Sequence, residues 1–198
     1  MKLKVTRQDS YSRGELLLRT FFGWLYIMLP HGFLMIFVGI WAGILQFLAF
    51  WVVLFTGKYP QSWFEFQVKF INWSMRLNAT ICNLVDGYPA FGPGGTSDKV
   101  SAEVEYPESI SRGLLLLRFF FGIFYVVIPH GFCLIFRLWA HSIVSFIAWW
   151  VVLFTGEFPE KMRSFLTGTF RWMLRFNLYM IYMTDEYPPF SGKPEAGE

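Results

Sequence analysis

Ser12-Arg13-Gly14-Glu15-Leu16-Leu17-Leu18-Arg19, followed by Tyr26 and Pro30-His31-Gly32-Phe33, opens a block that the chain writes twice. The second copy begins Ser111-Arg112-Gly113 and reaches Pro129-His130-Gly131-Phe132, always 99 positions later. Outward from there, Trp51 to Gly57 answers to Trp150 to Gly156, and Asp86 to Asp185. Of the 81 positions from Ser12 to Gly92, 36 are identical in the second copy, with no gap. A repeat of this kind halves the fold problem. It divides the chain into a polar arm (1–11), repeat 1 (12–92), a polar linker (93–110), repeat 2 (111–191) and a polar tail (192–198).

Each repeat opens with an apolar run too long and too clean for a soluble domain. Between Leu16 and Phe55 the one formal charge is Arg19; between Leu114 and Phe154 only Arg118 and Arg137 are charged. The chain is 55% hydrophobic and 21% aromatic, against roughly 45–50% apolar in ordinary soluble domains. A membrane span needs about 20 apolar residues, so each run is read as a hairpin of two short helices that crosses the bilayer or, its second helix being short, dips in without crossing. In repeat 1 the spans fall at 16–37 and 44–55, with a turn at Val38–Gly43. Pro30 and Pro129 lie inside the first spans, where a missing N–H predicts a kink.

The ends of the elements carry local signals. Ser12 with Glu15 has capping-box spacing, and Ser111 keeps half of it. Gly57 and Gly156 suit left-handed helix ends, and Pro60 and Pro159 suit the start of the next helix. That helix reaches Leu84 in repeat 1 and Met183 in repeat 2. Glu65, Lys69, Asn72, Arg76 and Asn83 form a stripe opposite Trp63, Phe66, Phe70, Trp73, Leu77 and Ile81. A polar stripe against a wide aromatic face predicts a helix in the membrane interface. The expected fold is therefore all-α and integral to a membrane: two tandem repeats, each a short transmembrane hairpin plus a cytoplasmic interfacial amphipathic helix. Lysine and arginine gather in the arm and the amphipathic helices, which places both termini in the cytoplasm. The first span serves as an uncleaved signal.

The motifs WxVLFTGxxP, RWxxRxNxY and TDxYPPF, after a kinked PHxxxxxF span, resemble the DUF4389 family of bacterial membrane proteins. Repeat 2 carries the fuller version: Trp150–Gly156, Pro159, Arg171-Trp172, Arg175, Tyr179, Thr184-Asp185 and Tyr187-Pro188-Pro189-Phe190. Repeat 1 departs from it at Asn72, Thr80 and Ala90. The resemblance implies a bacterial location, here the cytoplasmic (inner) membrane in a multi-pass arrangement. It implies no reaction.

Candidate site residues fall into four groups. His31 and His130, beside the prolines, are weak candidates for a bis-histidine haem site; the plainer reading is an inward-facing polar group that finds a partner. Arg19, Arg118, Trp73, Arg76, Arg171, Trp172 and Arg175 read as lipid headgroup and interface anchors. Asp86 and Asp185 are the alternative ion-pair partners of Arg19 and Arg118. Pro30 and Pro129 mark kinks. No catalytic constellation, cofactor or metal site is expected, and a net charge of +3 gives no case for nucleic acid. Cys82 and Cys133 read as small buried hydrophobes. The leading function is a non-catalytic accessory or scaffold subunit of a larger membrane complex, its partners being membrane lipids, other subunits or a second copy. The alternative is phospholipid binding or transport, with a bis-histidine electron carrier as the weaker one.

Overall fold

The computed structural model describes residues 1–194. The element order is β1 (Lys2–Val5), α1 (Arg13–Thr56), α2 (Gln61–Ile81), β2 (Val100–Glu103), α3 (Arg112–Thr155) and α4 (Glu160–Met180). The expected hairpin is absent: α1 and α3 are each continuous for 44 residues. At 1.5 Å per residue such a helix is about 66 Å long. Residues 38–43 stay helical because Gly39 and Gly43 are the only turn formers there and no proline or charge interrupts the run. Gly39 serves close packing instead; a Cβ there would stand 3.6 Å from the Phe70 ring.

A π-helical turn precedes each of the prolines that were expected to kink the long helices. Trp24–Met28 and Ile123–Val127 form one π-helical turn each, immediately before Leu29-Pro30 and Ile128-Pro129. One extra residue per turn is a usual place for a helix to bend.

The ends match their signals. Ser12 Oγ accepts the Glu15 amide at 3.2 Å and Ser111 Oγ the Leu114 amide at 3.3 Å. Gly57 and Gly156 take φ of 73° and 77° and end the long helices. α2 and α4 end in paired Schellman turns, with Asn83 and Tyr182 at φ 56° and 62°. The Leu84 amide then reaches the Ala79 carbonyl, and Met183 that of Leu178.

The repeats are joined reciprocally. The Tyr11 amide donates to Gly156 O at 2.8 Å, and the Ile110 amide to Gly57 O at 2.8 Å. Each repeat therefore starts on the other's long-helix end, and α1 and α3 run antiparallel. Phe50 meets Phe119 at one end (4.8 Å), and Trp149 Nε1 donates to Thr20 Oγ1 at the other (2.8 Å).

The arm and linker, read as polar segments of an all-α fold, contain the two strands. They pair antiparallel as Lys2↔Glu103, Leu3↔Ala102, Lys4↔Ser101 and Val5↔Val100. Exchanging the repeats turns the first pair into the third and leaves Leu3↔Ala102 in place, so the pseudo-two-fold passes through that pair. Leu3, Val5, Val100 and Ala102 are buried in the shared core with Phe64, Ile71, Leu166 and Leu174 of α2 and α4. Asn72 ties the ribbon down like a third strand: its amide donates to Ala102 O (2.8 Å) and accepts the Ala102 N–H (2.7 Å).

The surface is divided. On α1 between Leu17 and Phe55 every exposed residue is apolar except Thr20 and Gly43; on α3 between Leu116 and Phe154 the exception is Ser142. Both hydroxyls bond back to carbonyls of their own helix. On α2 the exposed residues are Gln61, Ser62, Glu65, Lys69 and Asn78, and on α4 chiefly Glu160, Lys161, Ser164 and Asn177.

Candidate functional site: a clamp over each bulged helix

The repeated Asp-x-Tyr-Pro-x-Phe segment folds back over the long helix of its own repeat. Asp86 Oδ2 accepts the Ser12 amide at 2.7 Å, and Oδ1 accepts from Arg19 at 2.7 Å. Asp185 does the same with Ser111 (2.7 Å) and Arg118. An aspartate thus completes each helix N-terminus, where negative charge is favoured. The capping box is corrected accordingly: Glu15 does not return to Ser12 but binds Arg19 (3.0 Å) and the Gly87 amide (2.7 Å). Repeat 2 keeps its cap without a glutamate because Asp185 holds that amide.

Two residues on, a tyrosine serves the carbonyl that the proline leaves without a donor. Pro30 has no N–H for the Tyr26 carbonyl, four residues back. The Tyr88 hydroxyl donates to that carbonyl at 3.2 Å. Pro129 leaves the Tyr125 carbonyl likewise, and Tyr187 donates to it at 2.9 Å. An orphaned carbonyl is costly in an apolar setting, so this explains why Pro and Tyr recur together.

The phenylalanine closes the clamp on the histidine. Phe91 lies 4.0 Å from the His31 ring centre and Phe190 3.9 Å from that of His130. Trp73 Nε1 donates to His31 Nδ1 at 2.8 Å, and Trp172 Nε1 to His130 Nδ1 at 3.0 Å. Both histidines are fully buried. The exit segment is held from below: Arg76 donates to Gly92 O at 2.8 Å, Arg175 to Lys193 O at 3.0 Å, and Arg171 to Gly192 O at 2.8 Å.

This geometry places the residues singled out in the sequence. His31 and His130 sit in separate aromatic boxes, and no ring contact or hydrogen bond joins them among the described residues. An Nδ1 that accepts from an indole leaves the hydrogen of the neutral ring on Nε2. Neither nitrogen then offers a lone pair to iron, which corrects the haem candidacy. Headgroup anchoring is corrected as well. Trp73, Arg76, Arg171, Trp172 and Arg175 are buried in protein contacts, and Arg19 and Arg118 pair inward. The physical reason is the returning exit segment, which offers carbonyls and a carboxylate to the stripe that seemed to need phosphate. Arg118 also lies 4.4 Å over the Tyr179 ring. Arg137, expected at a turn, is inside α3 and donates to Thr169 Oγ1 (2.9 Å) and Phe165 O (2.9 Å).

Sequence reasoning passed over Tyr88, Phe91, Tyr187 and Phe190 as working parts. Their signal was present: an invariant Asp-x-Tyr-Pro-x-Phe spacing at a fixed distance after Pro-His. The clamp holds the exit segment of each repeat against its own long helix and return helix.

Comparison with known proteins adds one identification. No curated protein matches the chain, and no solved structure does. The family described as "Domain of unknown function (DUF4389)" matches residues 15–92 and again 113–192, each match enclosing one long helix, its return helix and its clamp. The chain belongs to the DUF4389 family, as a tandem of two family units.

Proposed function

We propose that the protein is a non-catalytic membrane scaffold, with its two long helices lying along one leaflet and its polar layer facing the cytoplasm. The division of the surface carries this reading: α1 and α3 expose apolar side chains throughout, whereas α2, α4 and the ribbon carry the exposed polar ones. Length favours lying flat over crossing. A helix of about 66 Å is twice the roughly 30 Å hydrocarbon core and has no polar stretch for the excess. Its width with side chains, about 10–12 Å, fits inside one leaflet. The reciprocal joints agree, since they set the start of each long helix beside the end of the other. A two-fold along the membrane normal then leaves Lys2, Lys4, Lys58, Lys69 and Lys161 on one side, the cytoplasmic one by the positive-inside bias. The polar layer is the surface for a partner subunit.

Side-specific labelling tests it. In a background with Cys82 and Cys133 replaced by Ala, single cysteines at Asp9 and Lys58 are treated with an impermeant thiol reagent in sealed vesicles. Both label from the same side if the helices lie in one leaflet. Label from opposite sides at the two ends of α1 would establish crossing.

Lipid binding is the second reading, favoured by one observation. An apolar groove of about 550 Å³ runs between the repeats, floored by Gly39, Ala42 and Gly43 of α1 and walled by Ile71, Met75 and Leu174. In repeat 2 the corresponding floor is Leu138, His141 and Ser142. Lipid that co-purifies with the wild type and is lost from Gly43→Leu supports this reading; equal lipid in both removes it.

A further inference from the structure

The pseudo-two-fold is broken at one place where chemistry follows. Beside the joint at Tyr59, repeat 2 presents Phe119, Tyr182 and Ile181 to Phe50 of α1. Phe50 packs 4.8 Å from Phe119 and 5.8 Å from Tyr182, so rings fill the space. At the equivalent joint beside Phe158 these positions hold Thr20, Asn83, Cys82 and Trp149. The space there is open: a pocket of about 450 Å³ with Ile81, Phe146, Trp149 and Val152 as apolar walls. Phe146 and Trp150, on its rim, belong to the apolar outer face of α3.

Cys82 lies in this pocket as a free thiol, at the end of the amphipathic helix α2. His141 Nε2 is 3.8 Å from its Sγ. His141 is only 9% exposed, and its Nδ1 is buried without a partner among the described residues. Ser145, one turn further along α3, also lines the pocket, and its Oγ is buried and unpartnered. Repeat 1 has Ala42 and Gln46 where repeat 2 has His141 and Ser145, and repeat 2 has Ile181 where repeat 1 has Cys82. The cluster exists once, and it is assembled from both repeats.

We propose that Cys82 is a site of S-acylation, with His141 as the base and the pocket as the seat of a fatty acyl chain. Thiols on amphipathic helices at membranes are the usual carriers of such chains. Burial pushes the Cys82 thiol up to about 11, so little thiolate exists without a base; an adjacent imidazole supplies one. The acyl donor is a fatty acyl-coenzyme A thioester. The Sγ proton passes to His141 Nε2 as Sγ bonds to the acyl carbon. The bond from that carbon to the coenzyme sulfur breaks, and the proton on His141 goes to the departing thiolate. No electron is gained or lost. Ser145 Oγ, buried and unpartnered in the same pocket, is the hydroxyl available to donate to the carbonyl oxygen as charge develops there. Cys133 is also a free thiol, with no hydrogen bond to a histidine among the described residues, and is the internal control.

The test uses the full chain in detergent, so its outcome does not depend on how the helices sit in the bilayer. The probe is an alkyne-tagged palmitoyl-coenzyme A, and the readout is hydroxylamine-labile label located by peptide mass spectrometry. Label is expected on Cys82, lost in Cys82→Ala and retained in Cys133→Ala. His141→Gln is expected to slow labelling at least tenfold while helix content by circular dichroism is unchanged. Thr20→Phe, which copies the filled joint, is expected to block the palmitoyl probe and spare acetyl-coenzyme A. No labile label on Cys82, equal label on Cys133, or a His141→Gln protein labelled at the wild-type rate each overturns the proposal.

Discussion

The two repeats share a clamp and differ in what lies between them. Asp to Arg and helix start, Tyr to the orphaned carbonyl, Phe and Trp to histidine are the same in both, position for position. The facing surfaces have diverged: one joint is filled by Phe50, Phe119 and Tyr182, its mate opened by Thr20, Asn83 and Cys82. Identity therefore follows the need to hold a proline-interrupted apolar helix, and divergence follows the two-fold axis, where the repeats meet each other rather than themselves. A duplicated unit keeps its internal constraints twice over. Its mutual surface is free to become asymmetric, and function is to be sought there.

The shared clamp is broken most severely at its ion pairs. Removing one partner of a buried pair costs about 3–5 kcal/mol. Asp86→Ala is expected to cost more than Asp185→Ala, because the Asp86 side chain is 10% exposed and that of Asp185 30%. Each arginine keeps other acceptors, Glu15 and Asn83 for Arg19 and the Tyr179 and Thr184 carbonyls for Arg118. Thermal unfolding of the two variants in the same detergent checks the order; equal losses would show that water access does not matter. Trp73→Phe and Trp172→Phe remove only the indole donor to a histidine. Each is expected to cost about 1–2 kcal/mol, and by equal amounts, since the two boxes match.

Tyr88→Phe and Tyr187→Phe come next, at about 1 kcal/mol each, read by amide exchange at Pro30 and Pro129 neighbours as well as by melting. Faster exchange confined to the repeat carrying the change is the expected result; a change in both would mean that the kinks are coupled. The smallest effect concerns a pair found in repeat 2 alone. Arg163 bonds Glu160 and holds its carboxyl below the usual carboxylate value of 4.5. A depressed folded value means stabilisation present above that range and lost as pH falls through the folded value. Glu160 is half exposed, so the effect is small. Acid unfolding of Glu160→Gln should start from a slightly lower stability at neutral pH and converge with wild type in acid.

Much of each unit was legible. Ser12, Ser111, Gly57 and Gly156 announced helix ends, and Pro30 and Pro129 marked carbonyls left without their helical donor, because caps and prolines act locally. The hairpin was misread because a 40-residue apolar run was divided by the thickness of a bilayer. That division holds for helices along the membrane normal; Gly39 and Gly43 then looked like a turn although they allow close packing. The ribbon was hidden because Lys2-Leu3-Lys4-Val5 is short. Its alternation has meaning only beside Val100-Ser101-Ala102-Glu103, far along the chain. The arginine stripe of α2 and α4 was assigned to lipid because amphipathicity says which face is polar, not what that face meets. Arg76 and Arg175 meet backbone carbonyls of a segment that returns to them.

The account rests on α1 and α3 lying in one leaflet. Spin labels at Phe22, Phe37 and Phe55, all exposed along α1, measure immersion depth in vesicles by collision with lipid-soluble and water-soluble relaxants. The predicted result is three depths within one leaflet, none beyond the midplane. Phe22 and Phe55 near opposite headgroup layers, with Phe37 between them at the midplane, would contradict it.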